Sequence, residues 1–252
     1  MNQSVLKAIE LLNCFTKKYE LSIIELSEMT GMPKTTVFRL LASLEEGGLL
    51  VKNRKSSHDV TYRLSFRMVE FGKVVLDQLE YRDVAYPHMK RLNEELNELV
   101  HLVTREGHEA VYVETIDSTK LIRLVVQVGR RSPLYAGSGP KLLLAHMDID
   151  AQEEYLQSVE LKKITENTIN DIDVLKNELQ RIKEQGYSKS YAEHFPNTIG
   201  FSFPIYDYSN KVIASLGVSI PSSDYSQDRE DFILEKIKYT ALAISRDLGF
   251  KG

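Results

Sequence analysis

A single cysteine, Cys14, stands among 252 residues, so no intramolecular disulfide is available and a reducing compartment is the expected setting. Its place in the helical pattern VLKAIELLNCF makes it a small buried hydrophobe. No apolar run approaches the roughly 20 residues that span a bilayer, and the chain opens without a basic and apolar secretory segment. A cytoplasmic protein with no membrane partner is expected. Metal and catalytic signatures are scarce as well. The six histidines, His58, His88, His101, His108, His146 and His194, show neither HExxH nor H-x-E with paired cysteines, and Ser202 and Ser219 lack a nucleophile elbow. No metal, no cofactor and no catalysis are therefore expected. His101 sits on a predicted strand, where it either faces a pocket or is a core histidine bonded to a backbone group.

What is present begins with charge. The net charge of −4 divides unevenly: residues 1–65 carry nine Lys and Arg against seven Asp and Glu, or +2, leaving −6 for the rest. Lys52, Arg54, Lys55 and Arg63 gather within residues 47–63 against Asp59 alone. Just before that cluster lies LSIIELSEMTGMPKTTVFRLLASLEEGG. Ser22 and Glu25 have the spacing of a capping box, and Gly31 ends the first helix. Pro33 falls in the first turn of a second helix, which runs to Glu46 and stops at Gly47 and Gly48. Val37, Leu40, Leu41 and Leu44 at i, i+3, i+4 and i+7 make its buried stripe. Exposed positions then hold Lys34, Thr35, Thr36, Phe38, Arg39 and Ser43. In a helix-turn-helix that end of that helix enters the major groove; two amphipathic helices of an ordinary bundle are the alternative.

The flanking residues favour the first reading. Residues 4–18 place Val5, Ala8, Ile9, Leu12 and Phe15 on one face, as the first helix of a three-helix core. Two short strands, 49–53 and 60–64, enclose a basic tip at 54–59, a hairpin that is either merely solvated or a wing lying along phosphates. SVLKAIELLNCF, ELSIIELSEMTGMPKTTVFRLLASLEEGGLL and YRLSFRMVEFG resemble the DNA-binding half of the IclR family of bacterial transcription regulators. The resemblance continues through RRSPLYAGSGPKLLLAHM, EQGYSKSYAEHFPNTIGFSFPIYD, KVIASLGVSIP and AISRDLG, covering essentially the whole chain.

Ser65 could cap a helix FRMVEFGKVVLDQ, with Phe66, Val69, Val74 and Leu76 among its apolar positions, between the two charge-distinct halves. The resemblance implies a linker helix that adds dimer contacts. A helix over 84–99 opens the second domain. Strands follow at 100–106, 110–117 and 120–129, with β-branched alternation and short turns favouring antiparallel pairing. A loop, RRSPLYAGSG, feeds a helix at 140–147. A helix over 172–185 is capped by Asp171 and closed by Gly186, strands cover 187–193, 200–208 and 211–220, and a final helix spans 226–248. The fold class expected is α+β: a winged helix-turn-helix at 1–64, a linker helix at 65–80 and, by the resemblance, a GAF-like effector-binding domain at 81–252.

In the second domain Tyr135-Ala-Gly-Ser-Gly-Pro-Lys-Leu presents backbone N–H groups at a helix N-terminus, a seat for a carboxylate or else an ordinary glycine-rich turn. The resemblance places this loop at the effector pocket, with Ser138 and Gly139 at contacting positions and Pro140 where the family usually has glycine, which removes one donor. It also matches Glu193 and Ser219 to pocket positions. Gly200 stands where many members have cysteine, and Gly217 is the next inward residue beside Ser219. Two missing side chains imply room for a larger ligand, such as a sugar-derived keto acid; RRSPLY is closer to members responding to 2-keto-3-deoxygluconate-like acids. The overall expectation is a regulator, more often repressing than activating, which binds a pseudo-palindromic duplex operator as a homodimer or dimer of dimers. Lys34, Thr35, Thr36 and Arg39 are its base or phosphate contacts, with Arg54 and Lys55 on the wing. An enzyme or sensor acting on a small acid with an accessory helix-turn-helix is the alternative, and a protein-interaction module the third; the basic recognition face speaks against the last.

Overall fold

The computed structural model describes residues 2–54, 60–77, 80–121 and 123–252, with the side chains of 75–77 excepted. The chain forms two compact units, Met1–Gln78 and Leu79–Gly252. In the first, α1 (Gln3–Cys14) precedes β1 (Leu21–Ser22), α2 (Ile23–Thr30), α3 (Lys34–Glu46), β2 (Leu50–Arg54), β3 (Val60–Leu64) and α4 (Arg67–Asp77). The turn between α2 and α3 follows from local chemistry. Ser22 Oγ accepts from Glu25 N–H while the Glu25 carboxylate accepts from Ser22 N–H at 2.8 Å, closing a capping box, and Gly31 ends α2 at φ 68°. Pro33 is the N-cap of α3 rather than part of its first turn, and its carbonyl accepts from Thr36 and Val37 N–H. Val37, Leu41 and Leu44 are buried against Leu11, Cys14, Leu26 and Tyr62.

Two features of this unit depart from expectation. Of the stripe read from the sequence, Phe15 at the C-cap is buried and Ala8 and Leu12 pack against the core, whereas Val5 and Ile9 are about half exposed and Leu11 and Cys14 complete the buried face of α1. A third strand, β1, pairs with β3 through Leu21↔Tyr62, giving the order β1-β3-β2. Ser65 caps α4 as its Oγ accepts from Arg67 N–H, and the same hydroxyl donates to Gly48 O. Arg67 reaches Gly47 O at 2.9 Å, so the start of α4 is tied to the end of α3.

The second unit runs α5 (Glu80–Leu96), β4 (Leu99–Glu106), β5 (Glu109–Ile116), β6 (Arg131–Pro133), α6 (Ser138–Ala145), α7 (Ile149–Ser158), α8 (Ile172–Gln185), β7 (Ser188–Tyr191), β8 (Thr198–Tyr206), β9 (Val212–Pro221) and α9 (Gln227–Asp247). Its sheet is antiparallel, ordered β6-β5-β4-β9-β8-β7. Alternation assigns the two faces. Ile199, Phe201, Phe203 and Ile205 of β8 and Ala214, Leu216, Val218 and Ile220 of β9 pack with α5 and α9 in one core. Gly200 and Ser202, and Ser215, Gly217 and Ser219, point the other way, toward α6. The mixed helix and strand content is the α+β class expected.

The predicted helix over 84–99 starts earlier, at Glu80, and Leu99 already belongs to β4. No described residue of the predicted strand at 120–129 is in a strand. The edge of β5 is taken instead by β6, within the expected loop, while 118–121 and 123–130 cross the unit as a strap. Asn97 holds one end by accepting from Ser118 and Thr119, and Tyr112 holds the other by accepting from Gly129 N–H and donating to Arg130 O. Leu121 is fully exposed, whereas Leu124 and Val126 turn inward. Helix α7 lies in a stretch with only Tyr155 and Leu156 buried, too few to set a visible period.

Candidate functional site

In the N-terminal half of α3 Lys34, Thr35, Phe38 and Arg39 are exposed, with Thr36 half-buried. They project from the first two turns, where the helix pole is positive and duplex phosphates are attracted. A groove beside them brings Ser4 and Lys7 of α1 alongside Thr36, Arg39 and Ser43. Arg54 ends β2, exposed and paired in register with Val60. Lys55 and the rest of the tip, 55–59, lie outside the described residues. The base of the hairpin is held by Glu20, whose carboxylate accepts from Asn53 at 2.9 Å and from Thr61.

The second unit holds a small polar chamber between α6 and the sheet, of about 20 Å³, room for about one water. Ser138, Glu193, Gly200 and Ser219 meet there; Gly139 does not line it and packs instead on Val103 and Ser215. Ser202 Oγ donates to Ser138 Oγ at 2.9 Å. The wide pocket expected from two glycines is absent, for a steric reason. A Cβ at Gly217 would lie 2.1 Å from His101 Cε1, and one at Gly200 would lie 2.7 Å from Ser138 Oγ. The space each glycine vacates is filled by its neighbour.

His101 is a core residue, yet its bond is not to backbone: Nε2 meets Ser219 Oγ at 3.0 Å, and Nδ1 is buried without a partner. Tyr112 stands edge-on to its ring. Burial lowers the His101 pKa to about 4, and burial with the Arg130 charge lowers that of His194 to about 4; burial raises Tyr112 to about 12. At neutral pH both imidazoles are neutral, so they offer hydrogen bonds rather than charge.

Glu193 is already engaged. Its Oε2 accepts from Gly137 N–H at 3.2 Å, at the N-cap of α6, and its Oε1 accepts from Lys141 Nζ at 2.6 Å. Lys141 is buried and also donates to Glu178 at 2.9 Å and Lys189 O at 3.0 Å. Burial raises the Glu193 pKa while the Lys141 charge opposes that rise. The helix terminus read as a carboxylate seat thus has one N–H occupied by the protein's own carboxylate. An incoming anion would have to use the Ser138 and Ser219 hydroxyls, the imidazoles and the remaining N–H groups.

Reading the sequence for motifs missed Lys141 and the pocket role of Tyr112. A lysine inside the apolar run GPKLLLA was the available signal for the first, because a helix buried all round leaves such a residue no solvent to reach. Among the described residues no group of three or more His, Cys, Asp or Glu could hold a metal ion, and no helix is long and apolar enough to cross a membrane.

Similarity to known proteins bears on both units. The family model for the bacterial transcriptional regulator IclR C-terminal domain matches residues 73–246, and that for the IclR helix-turn-helix domain matches residues 4–54. The chain is 38% identical over 249 residues to the HTH-type transcriptional regulator KipR of Bacillus subtilis, spanning 99% of this chain and 98% of that one. It is 31% identical over 247 residues to the regulator KdgR of Escherichia coli, spanning 98% and 93%. The crystal structure of Thermotoga maritima IclR matches with a TM-score of 0.80 at 28% identity, over 99% of this chain and all of that one.

Proposed function

This chain belongs to the IclR family of bacterial transcriptional regulators, and on that premise we propose that a small carboxylate bound beside α6 sets its affinity for a duplex operator. Like its relatives it is a DNA-binding transcriptional regulator with a C-terminal effector domain, and not an enzyme. The reading divides it into a winged helix-turn-helix at 1–64, a linker helix at 65–80 and an effector domain at 81–252. Lys34, Thr35, Thr36 and Arg39 meet base edges or phosphates, and Arg54 and Lys55 follow the backbone. Two or four copies act on a pseudo-palindrome in the cytoplasm, because one small head buries too little surface for operator selectivity. Repression is supported by relatives named repressors, such as YiaJ of Escherichia coli at 28% identity.

One observation carries the effector half: a buried polar chamber with the Ser138 and Ser219 hydroxyls and neutral His101 at a helix N-terminus, in a different unit from the cationic face of α3. The ligand is a small carboxylate. The room for a sugar-derived keto acid that Gly200 and Gly217 promised is filled by Ser138 and His101. The ligand acts through the difference in its affinity for two arrangements of the reading heads.

Titrating a broad panel of acids into the operator-bound full-length protein tests this. At least one acid shifts operator affinity by about tenfold, a coupling of about 1.4 kcal/mol; a panel that changes nothing counts against the proposal. In the same assay Arg39→Ala weakens binding at every salt concentration, whereas Lys55→Ala reduces the salt slope by about one. Equal slopes for Lys55→Ala and the natural chain refute the wing assignment.

A further inference from the structure

Next to the polar chamber lies a second cavity of about 210 Å³, walled by Leu99, Leu124, Val125, Val126, Phe195 and Pro196. The two cavities share Phe195, Thr198 and Ser219 as walls, so a molecule bonded to Ser219 has its remainder directed into apolar surroundings. Ser219 faces Leu99 across the β4–β9 pairing, which puts the last hydroxyl of the polar stripe beside the first apolar side chain. The outer wall is the strap. Among the described residues, Leu124, Val125 and Val126 make no backbone hydrogen bond, although the strap is pinned at Asn97 and at Tyr112. That wall is held by its ends, so the volume behind it can follow the shape of what enters.

We infer that the effector is amphipathic: a carboxylic acid whose head lies by Ser138, Ser219 and His101 and whose apolar body fills the cavity behind the strap. At about 210 Å³ the cavity has roughly ten times the room of the one-water chamber beside it, enough for a chain of several carbons. A polyhydroxylated acid is disfavoured by the same wall, since a hydroxyl set against Leu124, Val126 or Phe195 gives up water there without gaining a partner. The residues that set specificity are therefore those of the strap, a segment away from α6 and its hydroxyls. This inference rests on the carboxylate reading above and adds the nature of the acid's body.

Calorimetry on the full-length protein with straight-chain monocarboxylates of two to eight carbons, and with gluconate beside hexanoate, tests it. Each added methylene tightens binding about threefold to fourfold until the cavity is full, and hexanoate binds at least about tenfold tighter than gluconate. Val126→Thr, nearly the same shape with one hydroxyl, weakens hexanoate severalfold and leaves acetate unchanged, with an unaltered melting temperature showing that the fold persists. Affinity that does not depend on chain length, or gluconate binding tighter than hexanoate, overturns the amphipathic assignment while leaving the carboxylate reading intact. Failure of every acid in both series to bind removes the carboxylate reading, and this inference with it.

Discussion

His101 and Gly217 show how one atom of volume decides what a pocket can be. The imidazole lies where any side chain at 217 would have to go, so Gly217→Ala must push the ring off Ser219. Overpacking of this kind costs about 1–3 kcal/mol, to be read from urea denaturation together with a loss of effector binding. Unchanged stability would mean that the ring has a second place to sit. The same burial makes His101 an acid-sensitive group. Its folded pKa near 4 lies below the ordinary 6.5, so between those values the unfolded chain holds a proton that the folded chain does not. The stability it contributes is whole above pH 6.5 and is lost as pH falls toward 4, by up to about 1.4 kcal/mol per pH unit. His194 adds a similar slope, and His101→Gln removes one proton's share of the total. Denaturation midpoints at pH 6.5, 5.5 and 4.5 measure this; an identical slope in the variant would place the proton elsewhere. A sequence shows that 217 is glycine, but not which neighbour uses the space.

Elements whose ends are set by neighbouring residues were legible. Ser22 with Glu25, Gly31, Asp171 with Gly186, and Ser226 delimit helices as expected, because each cap satisfies N–H or C=O groups within a few residues of itself. Ser22→Ala therefore destabilises the first unit by about 1 kcal/mol, seen as a lower melting temperature, and Ser22→Thr recovers most of it. A melting temperature unmoved by Ser22→Ala would mean that β1 pairing alone holds the start of α2. The segment 120–129 was not legible. Its β-branched residues and apolar content are those of a strand, yet the partner edge is occupied by β6 and its side chains cover a cavity instead. Helix α1 was legible in part: Ala8, Leu12 and Phe15 reach the core as read, but Val5, Ile9 and Leu11 are all good core residues and only the direction from which α3 approaches selects among them.

In the whole molecule, Phe66 just ahead of α4 is 81% exposed and α4 itself carries Val69 at 64%, Phe71 at 53% and Val74 at 60% exposure, a run of apolar surface of the kind that marks an interaction site. In the proposed dimer these residues meet a second copy. Val69→Asp with Val74→Asp accordingly shifts sedimentation equilibrium toward monomer and lowers operator affinity by more than about tenfold, whereas an unchanged mass would locate the interface on another surface. By itself the sequence determined the helix-turn-helix, its cationic end, the polar and apolar alternation of β8 and β9, and through its motifs the family. These rest on periodicity, caps and charge, all of which act between residues close along the chain. Only the tertiary structure decided that Lys141 holds Glu193 at the helix terminus, that His101 fills the gap at Gly217, and that the strap walls one side of a mainly apolar cavity. Those contacts join residues dozens of positions apart, and which atoms compete for one volume is settled when the chain packs.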